Sequence, residues 1–185
     1  MQPGPLAKNG IRCAIEEIGM RAVRLTCHTT EIEMKKRSKQ RWGVGDYFKV
    51  PLSDGSLGFG QVASIEAEMG SAICAFFAVR EESSEATPSD FGRPFSVIVV
   101  TKDLLDSADW PVCSSGKAIE VENYIDVDSM RARRYVGTRI IGSGIAMKLV
   151  EAYFGLYPWN GFHDPNYLDG HLVSPEMKSK WAVYK

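Results

Sequence analysis

The sequence predicts an α+β domain that is mainly β: a curved antiparallel sheet or small SH3-like barrel with one C-terminal helix packed on it. Three observations carry this prediction. Apolar and polar residues alternate on both sides of a Ser53-Asp54-Gly55-Ser56 turn. Two nearly unbroken apolar runs of strand length follow, SAICAFFAV ending at Val79 and FSVIVVT from Phe95 to Thr101. After Gly142 the apolar spacing changes to that of a helix.

The opening hairpin is the clearest element. Val44, Tyr47, Phe48, Val50 and Leu52 supply one strand and Phe59, Val62 and Ile65 the next, with a polar four-residue turn between them. Gly58 and Gly60 on the second strand permit a bulge or a close backbone approach. Gly70 marks a turn into the first apolar run, so three antiparallel strands follow one another. Phe95 to Thr101 is too short for a helix and rich in β-branched residues, and is expected to be a central strand. Weaker strands are expected at residues 110–113, 118–121 and 134–138. Ser143 is placed to cap a helix carrying Ile145, Leu149, Val150, Tyr153 and Phe154 on one side, and Gly155 to end it. The following LYPWNGFHDPNYLDGHLVSPEM has the prolines and turn formers of an irregular segment, pinned by Trp159, Phe162, Tyr167 and Leu168.

With 185 residues, 44% of them hydrophobic and 24% charged, the chain has the size and composition of one domain with a real core. Residues 35–185 are read as that single domain and residues 1–34 as an N-terminal extension or accessory element, Met34 being a plausible start. No window approaches the roughly 20 apolar residues that span a bilayer, and the N-terminus lacks the charged and apolar regions of a secretion signal, so a cytoplasmic location is expected. Cys13, Cys27, Cys74 and Cys113 are widely spaced and read as buried free thiols, since neither a zinc knuckle nor a redox pair fits them.

The formal net charge is only -1, but it is unevenly spread. Residues 81–128 hold 11 acidic side chains against 3 basic ones, whereas residues 1–41 hold 9 basic against 4 acidic. An acidic block of this kind is either a set of solvated loops or a surface that faces a basic partner.

Chemistry-bearing patterns are sparse. His163, Asp164, Asp169 and His171 form the one compact group of acid–base or ligand types, yet their spacing fits no standard ligand set. Asp164 or Asn166 capping a turn after Pro165, Asn160 bonding local backbone and Trp159 filling a core gap against the helix explain the same segment structurally. Gly142-Ser143-Gly144 lacks the spacing of a hydrolase elbow, and no glycine-rich loop joins strand to helix before a Lys-Ser/Thr pair. Neither catalytic residues nor a cofactor or metal site is assigned. A nucleic-acid-binding module would use KKRSKQRW, residues 35–42, extended by Arg131, Arg133, Arg134 and Arg139, but the acidic middle would repel phosphates.

RWGVGDYFKVPLSDGSLGFGQV, residues 41–62, read together with GLYPWNGFHDPNYLDGHLVSP, residues 155–175, resembles the immunity protein 26 family of bacterial polymorphic toxin systems. In the first stretch the resemblance rests on Gly45-Asp46, the run to Pro51, Asp54-Gly55 and Gly58-Phe59-Gly60. In the second it rests on Pro158-Trp159-Asn160, Asp164-Pro165, Tyr167 and Asp169. It spans approximately residues 35–175, with residues 95–138 matching only as a succession of short strands. What the resemblance implies is a cytoplasmic, non-enzymatic antidote that binds and neutralises a cognate protein toxin. The charge block then suggests the contact surface: Glu81, Glu82, Glu85, Asp90, Asp103, Asp106 and Asp109. Two other classes stay open beside it: an SH3-like nucleic-acid-binding module, and a hydrolase or metalloenzyme built on His163, Asp164, Asp169 and His171.

Overall fold

Alternation along the hairpin sequence becomes a sheet whose two faces bury different residues, and each face receives its own cover. The computed structural model describes residues 39–83 and 90–185. The expectations for residues 1–34, for Cys13 and Cys27 and for Glu85 lie outside these residues, as do residues 35–38 of the basic stretch. Lys36–Lys185 forms one compact unit, with which the description below is concerned.

Strands β1 (Asp46–Pro51), β2 (Leu57–Glu66), β3 (Ser71–Glu81) and β4 (Pro94–Thr101) run as an antiparallel meander. A short β5 (Val112–Ser115) returns to pair with β1, so the order across the sheet is β4-β3-β2-β1-β5. The sheet is open, which decides between the two expected forms in favour of the sheet over the barrel. The connection from β4 to β5 passes through a one-turn helix α1 (Asp103–Asp106) and carries Leu105 and Trp110 into the core. Trp110 stacks on Phe48 at 5.1 Å between ring centroids and meets Phe76 edge-on at 5.8 Å.

One face buries Phe48, Val50, Val62, Cys74, Phe76, Ile98 and Val100 beneath helix α3 (Ser143–Tyr153), which contributes Ala146, Leu149, Val150 and Tyr153. Gly58 and Gly60 sit on this face for the reason expected of them. A Cβ at Gly58 would lie 2.9 Å from Val150 Cγ1, and one at Gly60 would collide with the ring of Phe48, so the helix and that ring seat against bare backbone. A register shift between Phe76 and Phe77 sets Phe95 out of its alternating place. Its ring therefore turns toward α3 and stacks on Tyr153 at 3.8 Å.

The opposite face buries Ala63, Ile73, Ala75, Phe77, Val97 and Val99 beneath Val121, Val127 and Met130. Here the structure corrects the sequence reading. Residues 118–121 and 134–138 are not strands: a 3-10 turn (Val121–Asn123), a helix α2 (Val127–Ala132) and a turn after it form a second cover. Asp126 caps α2 by accepting a hydrogen bond from Ser129 N–H at 2.9 Å. A strand covered on both faces shows no alternation, which is why β3 and β4 read as continuous apolar runs.

Two smaller corrections concern β4 and α3. β4 lies at the edge of the sheet, not its centre; it reads as central because other chain segments clothe its outer side. Ser143 does not cap α3. Thr101 Oγ1 accepts from Ser143 N–H at 3.0 Å, which frees the Ser143 hydroxyl to donate to Asp103 Oδ2 at 2.6 Å. The far end of α3 is as expected: Gly155, at φ +76°, donates its N–H to Ala152 C=O while Leu156 donates to Glu151 C=O, a pairing open to a residue in the left-handed region.

Candidate functional site

Of the acidic residues expected to form a contact surface, the six that are described fall into two groups at opposite ends of β4. Glu81 ends β3, Glu82 follows it and Asp90 precedes β4, so these lie at one end. Asp103, Asp106 and Asp109 follow β4 at the other, about 25 Å away for an eight-residue strand. Asp103 accepts from the Ser143 hydroxyl, and although burial works to raise its pKa, hydrogen bonds from Ser143 and Thr101 hold it below the ordinary value. Asp106 accepts from Trp42 Nε1 at 2.9 Å, and Asp109 from the Ser107 hydroxyl at 2.6 Å. Around Glu82, a hollow of about 460 Å³ is lined by Ala78, Arg80, Phe154 and the half-exposed Trp181.

Of the residues gathered by sequence around His163, three are engaged in local contacts. His163 is exposed, and Asp164 turns its carboxylate back to Asn166 N–H at 2.9 Å. Asp169 accepts from Trp159 Nε1 at 2.8 Å and pairs with Lys178 at 2.8 Å. Burial opposes its charge, but these donors hold its pKa below the usual carboxylate range. His171 is buried against the edge of Tyr167, its ring centroid 5.0 Å away, and desolvation together with the nearby Arg139 charge lowers its pKa. Among the described residues, no group of three or more His, Cys, Asp and Glu side chains is placed to hold a metal ion.

Trp42, the aromatic of the expected nucleic-acid stretch, packs against the core with its N–H committed to Asp106 and so offers no stacking platform. Its neighbour Gln40 is likewise structural: its amide donates to the carbonyls of Leu105 and Trp110 and accepts from Val112 N–H. Of the arginines meant to extend that patch, Arg131 forms a two-pronged pair with the buried Glu66. Ser64 and Tyr135 donate to the same carboxylate, at 2.8 and 2.9 Å. Desolvation raises the Glu66 pKa, but these three donors outweigh it and the net shift is downward. The sequence reading missed this network, which fastens α2 to the end of β2 across 65 residues; a lone acid closing an apolar strand was its only trace.

Gln61 does comparable work further along β2. Fully buried, it donates to Lys117 C=O at 2.9 Å and accepts from Ile119 N–H at 3.1 Å, drawing the second cover onto the sheet.

This β1-to-α2 architecture coincides with the stretch that a family model recognises: immunity protein 26 matches residues 43–134. The chain belongs to the immunity protein 26 family. The matched stretch takes in all five strands and α2. In this immunity protein 26 chain the motif residues of the opening hairpin are scaffold: Asp46 accepts from Gly43 N–H at 2.7 Å, and Asp54 caps the hairpin turn through Ser56 and pairs with Arg80. The closing segment of residues 155–175 lies outside the match. No curated protein and no solved structure shows significant similarity to the chain. Among the described residues, no helix is long and apolar enough to cross a membrane.

Proposed function

We propose that this chain is the antidote to a cognate bacterial toxin, acting in the cytoplasm by protein–protein contact and not by catalysis. The single observation that carries the reading is the family match over the whole sheet and its second cover.

For the contact surface, the acidic group at the β3–β4 end is the part we retain as the docking face: Glu81, Glu82 and Asp90, with Glu85 between them in sequence. Asp103, Asp106 and Asp109 belong to the same proposal, but Asp103 and Asp106 also hold α3 and Trp42. Replacing those two would confound binding with folding. Acidic side chains opposite a basic toxin cleft would accelerate encounter and make association sensitive to salt.

The test is co-expression with the toxin domain encoded beside this chain. The parent protein is expected to restore growth and co-purify with that domain, and the variant E81Q/E82Q/E85Q/D90N to bind it at least tenfold more weakly with a shallower salt dependence. No rescue and no binding by the parent would refute the antidote reading. Full binding by the charge-neutral variant would refute the acidic face alone.

A further inference from the structure

The second cover and residues 170–173 flank the outer edge of β4 and leave a cleft there. Ile141 clamps one end of the edge: its N–H donates to Val99 C=O at 2.8 Å and its C=O accepts from Thr101 N–H at 3.1 Å. Val173 clamps the other, donating to Phe95 C=O at 2.9 Å. Because Val99 C=O and Thr101 N–H point outward, strand alternation turns the N–H and C=O of Val97 outward too. Among the described residues neither group of Val97 has a partner on that side. An unpaired donor and acceptor on a strand edge form a template for another extended chain.

The walls add charge and a second unpaired group. A hollow of about 330 Å³ lies against Val97 and Val99, lined also by Arg133, Thr138, Arg139 and His171. That is within the range of clefts that hold small ligands or side chains. His171 also borders an adjoining hollow of about 240 Å³ along the same strand. It is only 5% exposed, and its Nε2 has no hydrogen-bond partner. A buried polar atom of this kind costs stability unless something satisfies it. Arg139 is held at the rim, its guanidinium carbon 4.8 Å from the centroid of the Tyr167 ring. Arg133 spends one donor on Ser129 C=O. Asp126 is the one acid on the lining, and it caps α2.

We infer that this cleft binds a short, extended, acidic segment of a protein partner. The segment's backbone pairs with Val97, its carboxylates meet Arg133 and Arg139, and one acceptor reaches His171 Nε2. Strand addition of this type draws affinity from main-chain hydrogen bonds and selectivity from alternate side chains. A single-stranded nucleic acid fits less well, since it needs open aromatic faces: Tyr167 has Arg139 over its ring and Phe162 stacked on it at 4.8 Å. The inference stands apart from toxin neutralisation, because it names a ligand chemistry and a place whatever the partner does.

The probe is an acetylated, amidated hexapeptide of alternating threonine and glutamate, titrated into the full chain while backbone amide resonances are followed. Its counterpart with lysine for glutamate and an oligothymidylate serve as controls. The glutamate peptide is expected to shift the amides of Val97 and Val99 and the imidazole of His171, the lysine peptide to leave them unmoved. R133E is expected to weaken binding at least tenfold, and R139E likewise; if R139E melts early, R133E decides alone. The inference is overturned by no shift at Val97 with millimolar glutamate peptide, by equal binding of the lysine peptide, by unchanged affinity in R133E, or by the oligonucleotide producing the same shifts with higher affinity.

Discussion

Glu66 shows how much of this fold rests on single polar residues placed among apolar neighbours. Its side chain is 1% exposed and every oxygen has donors: Arg131 through two nitrogens, the Ser64 hydroxyl and the Tyr135 hydroxyl. A buried carboxylate without such donors would be expelled or neutralised. E66Q keeps the shape but loses the charge and sets an amide N–H₂ against donors. Arg131 is half exposed and can turn to water, which limits the loss. The expected cost is about 1–3 kcal/mol, read as a lowered urea midpoint with unchanged slope. Gln61, by contrast, spends its amide on backbone groups alone. Neither role was legible in the sequence, because the partners that tie each strand to the second cover, Arg131 and Tyr135 for Glu66 and Lys117 and Ile119 for Gln61, lie more than 50 residues away and nothing in the local pattern names them.

The hairpin of β1 and β2 was legible because a sheet strand with one stripe of large side chains and a glycine-permitted approach leaves a period of two in the sequence. The α3 helix was legible for the corresponding reason at a period near 3.6. The second cover was not. Its residues 118–140 carry few apolar anchors, Val121, Val127 and Met130 among them, spaced too widely for either period to stand out. Positive φ at Arg134 and Tyr135 further breaks any local regularity. Yet the cover acts as a unit, so M130A should loosen it before the rest. Met130 is 4% exposed, and the truncation is expected to cost about 2–4 kcal/mol. Hydrogen exchange would show it: amides of α2 and residues 117–126 should lose protection before those of α3, and equal loss in both would contradict this division. The candidate acidic site was legible only as a charge count, since a strand of eight residues intervenes between its two halves.

Taken as a whole, the molecule should respond to acid in two stages. His171 has a folded pKa below its ordinary 6.5, so it is neutral in the fold and gains a proton more readily once unfolded. Its contribution is complete above pH 6.5 and is lost as pH falls through the lower folded value. Glu66, Asp103 and Asp169 also have depressed pKa values, from ordinary values of 4.5, 3.8 and 3.8. Their contributions are complete above those values and vanish as pH drops through the folded ones. Stability should therefore decline gently from pH 6.5 and steeply below about pH 4.5. Melting curves from pH 8 to 3 check this, with H171F expected to remove the first stage and leave the second.

The two-sided cover has a further consequence for how such a domain changes over generations. Every strand side chain of β3 and β4 that faces α3 or α2 is already occupied in packing, so substitutions there are judged by the core. The exposed side chains of Arg133, beside the edge of β4, and of Asp90, before that strand, lie outside this packing. On the proposed reading of those places as contact surfaces, drift there alters recognition while the sheet that presents them stays the same, and a lineage follows a changing adversary without solving its folding problem twice.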